Sequence, residues 1–95
     1  MFVRLIAPFC FALLASAAFA APSTDDMSER YEDAQRCMER AIGKQWHAKY
    51  GIELARNRWG AVEPTGHAID TAPQVVRMTD MRCRRELNLA GEPRP

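Results

Sequence analysis

An export signal at the N-terminus decides how much of this chain folds, and where it folds. Met1 to Arg4 carries one positive charge, Leu5 to Ala15 is apolar, and Ala18-Phe19-Ala20 has the small-x-small form that signal peptidase cuts after. Cleavage after Ala20 discards Arg4, Cys10 and all four phenylalanines and leaves 75 residues starting at Ala21. The competing reading is an uncleaved anchor, since Leu5 to Ala21 is 17 residues with Ser16 as its one polar member. That length is at the lower edge of what spans a bilayer, Pro8 interrupts it, and no stop-transfer charges follow. The expectation is a signal peptide over residues 1–20 and one small mature domain over 21–95. It has no stable membrane span after cleavage and is periplasmic or secreted, the short alanine-rich signal pointing to a bacterial periplasm.

A chain this short buries only about 60% of its unfolded surface and usually needs a staple. Two cysteines survive processing, Cys37 and Cys83. An even count in an exported domain reads as a disulfide, and with a single pair the connectivity is fixed. The rival reading of the pair is a reactive or metal-binding thiol set. No Cys-x-x-Cys is present, which argues against a thiol oxidoreductase.

The mature segment holds 12 Lys plus Arg against 12 Asp plus Glu. A neutral balance gives no electrostatic case for nucleic acid or for a charged membrane surface. Charge is uneven only locally. Asp25, Asp26, Glu29, Glu32 and Asp33 gather near the mature start, and Arg77, Arg82, Arg84 and Arg85 near its end, which in an antiparallel hairpin reads first as mutual compensation and second as an anion-binding or partner-docking face.

Residues 25–50 read as a helix. Met27, Tyr31, Ala34, Met38, Ala41, Ile42, Gln45 and Ala48 recur at spacings of three and four. Ser23 and Thr24 suit an N-cap, acids lead the first turn, Lys44 and Lys49 suit the far end, and Gly51 is a natural stop, with Gly43 a flaw in the interior. Ile52 to Trp59 fits a helical face (Ile52, Ala55, Trp59) and an alternating strand equally well. Glu63-Pro64-Thr65-Gly66 has the composition of a type I turn, with irregular chain to about Thr71. From Pro73 to Ala90, Val76, Cys83, Leu87 and Ala90 fit one helical face with Asp80 close to it. A strand facing Val75, Thr79, Met81 and Cys83 is the alternative. Glu92 to Pro95 reads as a frayed tail. The fold class is therefore mainly α: a small disulfide-stapled helical hairpin with a short middle element. An α+β arrangement, with the N-terminal helix packed on a small hairpin, is the alternative.

Catalytic candidates are sparse. Ser23 and Ser28 are the mature serines, and both lie at the start of the first helix. His47 with Glu39, or His67 with Asp70, has the composition of a general-base pair, but no nucleophile accompanies either. Trp46, Tyr50 and Trp59 suggest an aromatic cluster. The expectation is a non-enzymatic binding or accessory protein without a cofactor, acting as an inhibitor, immunity or chaperone-like module. Its partner would be another exported or envelope protein, docked on Arg77, Arg84 and Arg85, whose guanidiniums suit carboxylates or phosphates. The alternative is a periplasmic metal-binding protein using Met78, Met81 and His47 as soft ligands.

Overall fold

Residues 23–95 are described by a computed structural model, so the signal peptide expected over residues 1–20 lies outside the described residues. Helix α1 spans Thr24–Ile42. Its start is the one the sequence promises: the Ser23 hydroxyl accepts from the Asp26 N–H at 3.1 Å, and Asp25 and Asp26 sit against the positive helix end. Met27, Tyr31, Cys37 and Met38 turn inward. The helix stops eight residues short of the expected Tyr50, because Gly43 takes φ +105°, a backbone conformation outside the helical region. Ala41, Gln45 and Ala48, expected on the buried stripe, are exposed: the break resets the helical phase for Gln45 and Ala48, and Ala41 lies in the last turn of α1 just ahead of it. The chain resumes in a single turn, α2 (Trp46–Lys49), which drives Trp46 fully into the core. Gly51, at φ +65°, ends that turn and donates to the Ala48 carbonyl.

The ambiguous middle is a hairpin. Strands β1 (Leu54–Arg56) and β2 (Val62–Pro64) run antiparallel with Leu54 opposite Pro64, Ala55 opposite Glu63 and Arg56 opposite Val62. Asn57 organises the connection: its side-chain oxygen accepts from the N–H groups of Trp59 (2.9 Å) and Ala61 (3.1 Å). Glu63 and Pro64 are thus strand residues and not a turn. Thr65 caps α3 (Gly66–Asp70), its hydroxyl accepting from the Ala68 N–H at 3.1 Å, which gives helix where irregular chain was expected.

The last helix, α4, spans Gln74–Glu86, with the Pro73 carbonyl accepting from Val76 and Arg77. Val76, Asp80, Cys83 and Arg84 face inward. Its end comes before the expected Ala90. Asn88 takes φ +60° and donates to Arg85, and Leu89 donates to the Arg84 carbonyl at 2.8 Å, which is a Schellman arrangement with Asn in the left-handed position usually held by Gly. The reversal buries Leu89 completely and leaves Ala90 exposed.

Cys37 and Cys83 are bonded, joining α1 to α4 with their Cα atoms 5.8 Å apart. Two apolar clusters result. One surrounds the disulfide and includes Met38, Trp46, Ile52, Ile69 and Val76; the other holds Met27, Tyr31, Ala61 and Leu89, with Trp59 and Leu87 packed on it. Helix α1 runs through both. The expected aromatic cluster does not form, because Trp46 and Tyr50 belong to the first and Trp59 to the second. The molecule is mainly α with a two-stranded β element, and no helix among the described residues is long and apolar enough to cross a membrane.

Candidate functional site

The densest polar constellation is buried beneath the second cluster. Arg84 donates to Glu63 Oε1 at 2.7 Å and, through its other terminal nitrogen, to the carbonyls of Leu89 (2.9 Å) and Glu92 (2.8 Å). The second oxygen of Glu63 accepts from the Asn57 side-chain amide at 2.7 Å. Arg94 pairs with Asp80 and lies 3.8 Å from Glu63. The last residues are therefore not frayed. Glu92 accepts from Trp59 Nε1 and pairs with Arg58, both at 3.1 Å, and the Gly66 N–H donates to the Pro95 carbonyl at 3.1 Å.

Burial decides the electrostatics here. Desolvation raises the Asp80 carboxyl above its ordinary value, outweighing the attraction of Arg94 and Arg84, and it likewise raises the Tyr31 hydroxyl, with the Glu63 charge adding to the effect. Glu92 moves the other way, lowered by the hydrogen bonds from Trp59 and Arg58. The cavity bounded by Tyr31, Glu63, Asp80 and Arg84 is ≈ 20 Å³, the room of about one water. This constellation ties the hairpin, the end of α4 and the last residues together, and it has no space for a substrate.

Arg84 is thereby corrected. It is 7% exposed with both terminal nitrogens engaged, so it is unavailable to a partner, whereas Arg77 and Arg85 lie in the open on α4. At about 100° per residue the inward direction of Val76, Asp80 and Cys83 puts Met78 and Arg85 diametrically outward, with Met81 and Arg82 to either side of them and Val75 beyond Arg82. Val75, Met78 and Met81 are 47%, 57% and 53% exposed, unusual for apolar side chains of this size. Arg82 and Val75, absent from the expected docking set, belong to this face. The spacing that buries Val76 and Cys83 already implies it.

The soft-metal set does not assemble as a triad. Met78 and Met81 line one groove together, but His47 sits on α2 with its ring edge-on to Trp46, centroids 5.8 Å apart, and is not part of that lining. Neither His47 with Glu39 nor His67 with Asp70 forms a side-chain hydrogen bond among the described residues, and no group of three His, Cys, Asp or Glu there is placed to hold a metal ion.

Two concavities flank α4 on the side of the last residues. One, of ≈ 410 Å³, runs from Ile69 past Arg77 and Met78 to Met81; the other, of ≈ 270 Å³, runs from Met81 past Arg85 to Ala90. Asp80, Met81 and Arg94 line both, so the two adjoin as one groove along α4. No family model, curated protein or solved structure matches the chain.

Proposed function

We propose that this is an exported, non-enzymatic binding or accessory protein that recognises another exported or envelope protein through the outer face of α4. The observation that carries this reading is the exposure, on one helix face, of Val75, Met78 and Met81 interleaved with Arg77, Arg82 and Arg85. Apolar side chains displayed together and rimmed by charge are the composition of a recognition surface, and methionine adapts readily to a partner's contour. The Cys37–Cys83 bridge is compatible with an oxidising, exported compartment, and it fixes α4 rigidly on α1 so that the face is presented ready-made. Most of the remaining polar machinery is engaged in holding the chain together.

The test is site-specific photocrosslinking in the intact exporting cell. A photoreactive residue at position 81 gives a covalent adduct with a second exported protein, and the same residue at the exposed Ala48 does not give that adduct. An identical adduct pattern at both positions, or none at 81, refutes the reading.

A further inference from the structure

We infer that the groove beside α4 binds an extended acidic segment of the partner with the pattern acid-x-apolar-x-acid. This rests on the docking role just proposed for that face and adds the chemistry of the occupant.

Arg77, Met81 and Arg85 are spaced i, i+4, i+8, so they form one ridge on α4: cation, thioether, cation. The two cations are separated by about 12 Å along the axis at about 1.5 Å per residue. An extended chain advances about 3.3 Å per residue and points every second side chain the same way. Residues i, i+2 and i+4 of such a strand therefore span about 13 Å on one side, which matches the ridge residue for residue.

The charges of the groove select the occupant. Its inner ionic groups are already satisfied: Asp80 by Arg94, and Glu92 by Arg58 and Trp59. Asp70 stands at the Ile69 end, outside the ridge. Arg77 and Arg85 make no ion pair among the described residues, and their planar guanidiniums suit carboxylates in bidentate geometry. A second copy of the same ridge would set arginine against arginine, which disfavours self-pairing.

The experiment uses the disulfide-bonded mature chain and a fluorescein-labelled peptide containing Glu-Ser-Leu-Ser-Glu, read by fluorescence anisotropy at low salt. Saturable one-to-one binding is expected below about 1 mM. Affinity should fall about tenfold or more when both peptide glutamates become Gln, when its Leu becomes Ser, or when the protein carries R77Q and R85Q. Both arginines are exposed, and an unchanged melting temperature of R77Q/R85Q confirms that the loss is one of recognition. Absence of saturable binding, equal binding of the Gln peptide, or undiminished binding by R77Q/R85Q overturns the inference. So does tight association with phosphatidylglycerol vesicles that excess peptide does not displace. If the peptide fails while the position-81 adduct still forms, the docking face stands and its acidic occupant is wrong; if both fail, the face itself is wrong.

Discussion

Arg84 joins three parts of the chain that are distant in sequence or direction: the hairpin through Glu63, the turn after α4 through Leu89, and the last residues through Glu92. Its side chain and that of Glu63 are 8% and 5% exposed. Removing one member of such a pair leaves an uncompensated buried charge, so Arg84→Met should destabilise the protein by about 3–5 kcal/mol in urea denaturation. Arg84→Lys should rescue little, because an ammonium cannot reach all three acceptors as the guanidinium fork does. Removing both charges with Glu63→Gln and Arg84→Met should recover part of the loss, and strict additivity of the two single effects would contradict a direct pair. Asp80 supplies a pH dependence of unusual sign. Its folded-state carboxyl lies above the ordinary 3.8, so its contribution is most favourable below that value and is lost as pH rises through the folded value. Wild type should therefore gain stability relative to Asp80→Asn as pH falls from about 7 toward about 4, and a gain in the opposite direction would show that the Arg94 pairing outweighs burial.

At the scale of elements, the ends of α1, α2 and α4 are set by single residues in left-handed or extended positive-φ conformations. At Gly43, φ +105° with ψ 153° is a region essentially closed to side chains, although nothing lies within 4 Å of where a Cβ would stand. Gly43→Ala should thus cost about 1–3 kcal/mol of backbone strain, measured by thermal unfolding. Gly91→Ala, in open space and without a positive φ, should cost almost nothing and serves as the control. These positions also explain what could be read in advance. The existence of α1 follows from periodicity and capping at Ser23, that of α4 from periodicity with a proline at its start, and the bridge follows from the cysteine count. Their ends do not follow, since a glycine inside a helical pattern reads as a tolerated flaw, and the chain after α4 is reversed by Asn88 at a positive φ more usual for glycine. Three-residue strands are too short for a period to declare itself, which is why Ile52 to Trp59 stayed ambiguous. Of the three arginines expected on one face, Arg77 and Arg85 are exposed, but the burial of Arg84 depends on Glu63, 21 residues away, and on carbonyls presented only after the chain turns back.

For the whole molecule, the disulfide closes a 46-residue separation, and on the chain-entropy model it stabilises the fold by about 4 kcal/mol. Replacing both cysteines by Ala should lower the urea midpoint by a corresponding amount, and a change under about 1 kcal/mol would mean that the reduced, unfolded chain is already compact. One consequence of the two-cluster core is optical. The chain has two indoles, and they fall on opposite sides of that division: Trp46 shares its cluster with the disulfide, a quencher of excited tryptophan by electron transfer, while Trp59 lies under the Arg58 guanidinium at 4.9 Å and is hydrogen-bonded to Glu92. Emission from Trp46 therefore brightens on reduction, and emission from Trp59 follows release of the last residues, so that two single-tryptophan variants give separate fluorescence channels for the two halves of the core.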